Sequence, residues 1–235
     1  MTMRELWTCH LGTVEYGAAA ALQEQLRERV IAAELPDLLL LLEHPPVYTL
    51  GRRSDPADLP FGEQFWRDRG IDVVRTQRGG KLTYHGPGQL VGYPIMHASD
   101  IPVYVRTMEQ AIATALAQEG IVSRGRDHEG HAYTGVWVQE RKIASIGVHV
   151  SRGVSAHGFA LNVDNDVGPF HQVTACGLPG VRMTSVALET GRRGTLPCMR
   201  RQVAFAFAQA HGLRQRIVTP QRIGAAVPRP VLSIG

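Results

Sequence analysis

Apolar positions along the chain follow two patterns, and their alternation sets the expected fold. Between residues 14 and 33 alanines alternate with long polar side chains while Leu22, Leu26 and Val30 recur every fourth position, which predicts an amphipathic helix closed by Pro36. "DLLLLLEH" follows at once, a continuous apolar run of the kind found in strands buried on both faces. Arg52 to Pro60 is polar and proline-containing and reads as a loop. "IDVVRT" predicts a strand that "RGG" breaks, and "QLVGYPIM" predicts another. Residues 103–119 predict a second amphipathic helix around Val105, Met108, Ile112 and Leu116. "YTGVWV", "KIASIGVHV" and "SAHGFALNV" then come at short intervals, the spacing of an antiparallel meander. Thr184 is placed to cap a short helix ending at Thr190. Residues 197–210 predict a third helix, with Pro197 in its first turn and Val203, Phe205, Ala206 and Ala210 along it. The segment "AAVPRPVLSIG" is broken by prolines and predicts irregular chain. Together these elements make a mixed α/β chain with a large sheet and a smaller subdomain expected near the C-terminus. No repeat, linker or clear boundary divides it, so residues 1–235 are expected to form one unit, with a basic helix and proline-broken tail from about residue 181.

Composition narrows the function classes. The longest apolar run, Leu38 to Leu42, is far shorter than the roughly 20 residues that span a bilayer, so no membrane role is expected. Glu5 and His10 interrupt Met1 to Leu11, leaving no signal core, so the expectation is a cytoplasmic protein whose Cys9, Cys176 and Cys198 are reduced. The net charge of +4 is unevenly spread: from Val181 onward nine arginines face one acid, Glu189. A basic C-terminal portion favours an acidic partner. Those charges are dispersed and carry no aromatic stacking pattern, so nucleic acid is not the expected partner.

Three places can hold chemistry. "RGGKLTYHGPGQL", residues 78–90, has four glycines and a proline, which let backbone approach a ligand closely. No glycine-lysine-Ser/Thr run opens a helix after it, so it is not a phosphate loop. A plain glycine-rich hairpin with Tyr84 and His85 at its edge is the alternative; Arg78, Thr83, His85 and Gln89 together favour a binding loop. "VTACGLPG", residues 173–180, puts Cys176 in a loop, whereas Cys9 reads as a strand residue and Cys198 as a helix residue, both suited to packing. Cys176 is therefore the candidate nucleophile, provided a Lys, His or helix N-terminus favours its thiolate. The third place is "KIASIGVHV". Of 25 basic residues only Lys81 and Lys142 are lysines, and a lysine, unlike an arginine, can give up its proton. Strand period two puts Lys142 on the face of Ala144, Ile146 and Val148, where desolvation favours a neutral amine. Ser145, Gly147 and Gly158 are small enough to let a slim substrate pass between strands. Lys81, in the glycine-rich loop, is a rival to Lys142. His149, His157 and His171 are each rival bases for Cys176. His128 and His131, with Asp127 and Glu129, have the makings of a metal site, but no further ligand stands at fixed spacing and a solvated loop is the expectation.

Taken together, "LLLEHPPVYTLGRR", "RGGKLTYHGPGQLVGYPI", "KIASIGVHV", "HGFALNV" and "ACGLPG", in that order, resemble the lipoyl(octanoyl) transferase family from about Leu39 to Gly180. The resemblance implies the fold of biotin and lipoate ligases: a large mixed sheet, a small sheet and surrounding helices. It implies transfer of an octanoyl group from octanoyl-acyl carrier protein to lipoyl domains of 2-oxoacid dehydrogenases and to the glycine cleavage H protein, by a monomer that needs no cofactor and no metal. By the same resemblance Cys176 carries the acyl thioester and Lys142 is its acid/base. Substrate contacts fall on Arg78, Gly79, Gly80, Lys81, Leu82, Thr83, Tyr84 and His85, on Ser145, Ile146 and Gly147, and on Gly158, Phe159 and Ala160. Ala175 stands where the family usually has proline, which is expected to loosen the cysteine loop. The rival readings are an ATP-dependent ligase on the same fold, a Cys–His hydrolase, and a non-catalytic binder of lipoyl domains or acyl groups.

Overall fold

A computed structural model describes residues 4–178 and 180–225. Nine strands form the main sheet: β1 (Glu5–Thr13), β2 (Asp37–Glu43), β6 (Gln89–Ile95), β7 (Arg124–Gly125), β8 (Gly135–Val138), β9 (Arg141–Ser151), β10 (Val154–Asn162), β11 (Arg182–Met183) and β12 (Arg214–Val218). Their order is β12-β1-β2-β6-β10-β9-β8-β7, with β11 set against β9. A second sheet, ordered β4-β3-β5, holds β3 (Val47–Leu50), β4 (Asp72–Arg75) and β5 (Leu82–His85). The helices are α1 (Tyr16–Ile31), α2 (Gly62–Arg67), α3 (Ile101–Ala117), α4 (Val186–Thr190) and α5 (Leu196–Ala210).

The leucine run of β2 shows why the sheet is covered on both sides. Period two sends Leu39 and Leu41 to one face and Leu38, Leu40 and Leu42 to the other. The first pair packs with Met108, Ile112 and Leu116 of α3 and Val203 and Phe207 of α5. The second set packs with Ala19, Leu26 and Val30 of α1. Helix α1 is the crossover that makes β1 and β2 parallel. Around the small sheet a third cluster gathers Tyr48, Trp66, Tyr84, Phe170 and Ala175.

Several expectations change. The smaller sheet is built from residues 47–85 and not near the C-terminus, because β3 and β5 are short strands that the prolines and glycines around them disguise. Residues after α5 supply β12 instead, an edge strand parallel to β1. Its "RQRIV" has no apolar run because Ile217 faces out, 69% exposed. Ser185, one residue beyond the predicted Thr184, caps α4 by accepting the Leu188 N–H at 3.2 Å. On α5 Phe205 is 54% exposed and Phe207 is the buried aromatic. The irregular tail predicted over 225–235 lies outside the described residues from 226 onward. Among the described residues no helix is long and apolar enough to cross a membrane.

Arg182 lies on β11 beside β9, but other C-terminal arginines end up away from the sheet centre. Arg214 and Arg216 lie on β12 and pair with Glu5, and Arg192 pairs with Glu119. Four strand spacings, about 19 Å, separate β12 from β10. That part of the basic surplus therefore does not sit over β9 and β10.

Candidate active site

A cavity of about 150 Å³ lies against β9 and β10 of the large sheet, bounded on its other side by residues of the small sheet and its loops. Its floor is two cross-strand pairs, Ala160 opposite Ser145 and Gly158 opposite Gly147. All four side chains are small, so the floor is shallow relief on which a slender chain fits. Because β9 and β10 are hydrogen-bonded neighbours, no passage runs between them and the open space lies over the pair. Ile146 and Phe159 border the cavity but pack into the core beneath, where the Phe159 ring covers Gly92.

Lys142 also faces this cavity, and the reason is a bulge. Val136 pairs with Ala144 but Trp137 pairs with Lys142, so Ile143 is an extra residue in β9. Ile143, Ala144, Val136 and Val138 all join the helix-side core. Lys142 and Trp137 turn to the opposite face, the Lys142 Nζ lying 5.3 Å from the indole centre. Strict period two puts Lys142 with Ala144, Ile146 and Val148; the bulge puts it instead with Ser145 and Gly147. Lys142 is 1% exposed overall. Space for it depends on Gly135: a Cβ there would overlap the Ala144 carbonyl and stand 2.8 Å from Lys142 Cε. Glu109 of α3 fixes Gly135 from behind, its Oε1 accepting the Gly135 N–H at 2.7 Å.

The opposite wall comes from the glycine-rich loop and β5. Arg78 is buried and donates to Thr49 Oγ1 (3.1 and 2.8 Å), to Thr49 O (2.5 Å) and to Gly79 O (3.0 Å), with no salt-bridge partner among the described residues. A guanidinium so committed is a structural strut that also adds positive potential to the cavity. Arg78, Gly80, Lys81, Leu82, Thr83 and His85 border the space. Gly79 and Tyr84 do not. Gly79 donates its N–H to Val148 O at 3.0 Å, tying the loop to β9. Tyr84, opposite in pleat to Thr83 and His85, joins Tyr48 and Phe170 in the small-sheet core.

Cys176 closes the arrangement. Its short 3₁₀ turn, Ala175–Gly177, follows an inverse γ-turn at Thr174 (φ −83°, ψ 80°), across which the Ala175 N–H reaches Val173 O at 3.0 Å. Ala175 thus uses a donor that proline lacks, and its methyl is buried in the small-sheet cluster, so the loop is held and not loosened. Cys176 itself has φ 57°, a left-handed conformation that costs a non-glycine residue roughly 1–3 kcal/mol and is typical of functional turns. The thiol is half-buried, and its Sγ lies 3.7 Å from Ser145 Oγ. Cys9, in contrast, is fully buried in β1, where desolvation pushes its thiol up to about 11. Cys198 is half-buried in the first turn of α5, 3.9 Å from Glu119 Oε1, and does not reach the core.

Of the three rival histidines, His171 is exposed and His149 does not border the cavity. His157 does, at φ 59°, its Nε2 3.5 Å from Thr76 Oγ1 and its Nδ1 without a hydrogen-bond partner among the described residues. Beside it the cavity meets a buried polar cluster in which sequence reading found His85 and Gln89 but missed Tyr16, His44 and Tyr93. Tyr16, at the start of α1, donates to Thr76 Oγ1 (3.1 Å). His44 Nδ1 donates to Val14 O (2.6 Å), which leaves Nε2 to accept the Tyr93 hydroxyl at 2.7 Å. His85 Nδ1 meets Gln89 Oε1 at 2.8 Å. Desolvation holds His44 down to about 4 and His157 down to about 3, and lowers His85 well below its ordinary value. Burial therefore favours the neutral form of these imidazoles near pH 7. The unfolded chain protonates them near 6.5, so it binds more protons below that point and the native state loses stability as pH falls from 6.5 toward 4. The thermal midpoint should hold steady at about pH 7 to 8 and fall below 6.5; a midpoint that rises on acidification would mean that the native state takes up the protons instead.

His128 is exposed beside Glu129, and among the described residues no group of three or more His, Cys, Asp or Glu is placed to hold a metal ion.

Comparison with known proteins gives this geometry a context. Residues 15–208 match the family model of the lipoyl protein ligase A/B catalytic domain. An octanoyltransferase of Rubrobacter xylanophilus is 43% identical over 205 residues, covering 86% of this chain and 91% of the relative. One of Mycobacterium leprae is 42% identical over 209 residues, covering 85% of each. Among solved structures, a bi-partite lipoate protein ligase of Thermoplasma acidophilum superposes with a TM-score of 0.70 at 18% identity, over 93% of this chain and 88% of the other. A biotin protein ligase of Aquifex aeolicus does so at 0.51 and 13%, over 88% and 69%. These structural likenesses establish the biotin and lipoate ligase fold, while the sequence identity goes further: the chain belongs to the octanoyltransferases of the lipoyl protein ligase A/B catalytic family and is an acyltransferase.

Proposed function

We propose that the protein takes an octanoyl group from octanoyl-acyl carrier protein, holds it as a thioester on Cys176, and passes it to the target lysine of a lipoyl domain, with Lys142 carrying the proton in both steps. The observation that carries this reading is the convergence on one cavity of a half-buried thiol in a left-handed turn and a lysine turned inward by a bulge. In the first step the Cys176 proton passes to Lys142 and the thiolate attacks the thioester carbonyl. The C–S bond to the carrier breaks, and its sulfur takes the proton back from Lys142. In the second step the target amine attacks the Cys176 acyl carbon, Lys142 removes the amine proton, and the Cys176 sulfur leaves and is reprotonated. The Ser145 hydroxyl and backbone N–H groups around Gly147 serve the oxyanion. Both sheets contribute walls, which supports reading residues 1–235 as one catalytic unit.

The test is intact-mass analysis after mixing the protein with octanoyl-carrier protein and no ATP. A gain of one octanoyl group on Cys176, discharged by adding a lipoyl domain, is the expected result. Transfer that appears only with ATP and free octanoate would favour ligase chemistry and sink the thioester reading.

The small floor residues make acyl length a further test. Ala160→Leu fills the space beside Ser145 with three more carbons. Each displaced methylene is worth about 0.8 kcal/mol, about fourfold, so kcat/KM for octanoyl thioester should fall on the order of fiftyfold while butyryl thioester is largely spared. Equal losses for both would mean that the acyl chain lies elsewhere.

A further inference from the structure

Lys81, the other lysine, stands in quite different surroundings from Lys142. Its Nζ is 3.5 Å from Asp58 Oδ1, and Asp58 is 3% exposed. Asp58 ends a 3₁₀ turn, Pro56–Asp58, where its Oδ2 accepts the Asp55 N–H at 2.8 Å and Asp55 Oδ1 accepts the Ala57 N–H at 2.8 Å. The Asp58 carbonyl accepts the Thr174 N–H at 3.0 Å. The lysine stem does the complementary job: a Cβ on Gly177 would overlap Lys81 Cδ and lie 3.0 Å from Cε, so the stem runs directly against the Gly177 backbone. The two partners of this ion pair therefore flank the cysteine loop, Asp58 through its main-chain carbonyl at Thr174 and Lys81 through its stem at Gly177. The stretch so held contains two consecutive left-handed residues, Cys176 and Gly177, with φ 57° and 70°. Left-handed backbone at a cysteine persists only where its surroundings over-determine it.

We infer that Asp58 and Lys81 form a latch that holds the Cys176 turn so that its thiol faces Ser145. The inference rests on the reading of Cys176 as the nucleophile. Both are positioning residues; the Lys81 charge is engaged by Asp58, which separates its role from the proton transfer assigned to Lys142. The narrow lysine stem packs against Gly177 and carries a compact ammonium to Asp58, where arginine would put a wider planar guanidinium of different hydrogen-bond geometry. This accounts for a lysine at 81 in a chain that otherwise uses arginine almost throughout.

The test compares Lys81→Ala, which removes stem and charge, with Lys81→Met, which keeps the stem, and with Asp58→Asn. Single-turnover acylation by octanoyl-carrier protein is followed with alkylation of Cys176 by iodoacetamide across pH and the thermal midpoint. A misplacement near 1 Å costs about a hundredfold, so Lys81→Ala should slow the acylation rate constant by that order with little change in KM. Lys81→Met and Asp58→Asn should fall between it and wild type, Lys81→Arg should not restore the rate, and the alkylation rate of Cys176 should change in all of them. Wild-type acylation rates in folded Lys81→Met and Asp58→Asn would overturn the latch, as would a loss confined to KM, which would make Lys81 a substrate contact. Should wild type form no adduct at all, the nucleophile reading fails, and the alkylation rates still decide whether the pair positions the thiol.

Discussion

Cys176→Ser should lose octanoyl transfer almost entirely, on the order of 10⁴-fold or more, although it changes one atom. Nucleophile replacements of this kind remove the covalent route and leave only binding and electrostatic assistance. A serine hydroxyl holds its proton far more tightly than a thiol, and a lysine amine is too weak a base to take it. Nothing else in the cavity compensates, because Ser145, 3.7 Å from the sulfur, is itself a hydroxyl on the same floor. The variant should keep its thermal midpoint, since Cys176 is half-buried and the turn is held by backbone bonds, the Ala175 methyl and the Lys81 stem, none of which involves the sulfur. Cys9→Ser and Cys198→Ser serve as controls that retain the octanoyl adduct. If Cys176→Ser kept more than a small fraction of wild-type turnover, the thioester would have to be abandoned.

The second large effect is expected at Lys142. General acid–base groups contribute typically 10²–10⁴-fold, and Lys142→Arg should cost that much in both the acylation and the transfer step. Arginine keeps the positive charge but not the ability to release a proton. It is also too large: Gly135 already stands against the lysine stem and Trp137 lies under the ammonium. Lys142→Met, close to lysine in length, separates the two causes. Both variants should be slow, and a small primary amine added to Lys142→Ala should recover part of the rate. Single-turnover mass spectrometry reads each step separately. Acylation by Lys142→Arg within about tenfold of wild type would remove the lysine from the proton path and return attention to His157, the one rival histidine that borders the cavity.

How much of this was legible beforehand differs by feature. The leucines of β2, the meander of β8 to β10 and the helices α1, α3 and α5 follow from local periodicity, because burial against one or two layers writes itself into every second or fourth residue. Cys176 could be singled out as a loop cysteine, and Lys142 as one of two lysines. The small sheet was hidden because strands of four residues between prolines and glycines have too few positions to show a period. Strand β12 was hidden for another reason: an edge strand buries so little that its sequence stays polar.

The sequence by itself determined the family, through the order of its motifs, the layers of the fold, and the two residues proposed to do the chemistry. Only tertiary structure decided which way those residues face. One extra residue, Ile143, turns Lys142 to the cavity, and pairing between strands, not sequence alternation, creates such a bulge. The pleat of β5 turns Tyr84 into the small-sheet core and leaves Thr83 and His85 lining the cavity. Tyr16 on α1, His44 just after β2 and Tyr93 on β6 meet only in the folded chain and leave no trace in local spacing. Asp58, Lys81 and Gly177 are in the same position: they lie far apart along the chain, and the contacts that join them arise only once the small sheet has folded against the cysteine turn.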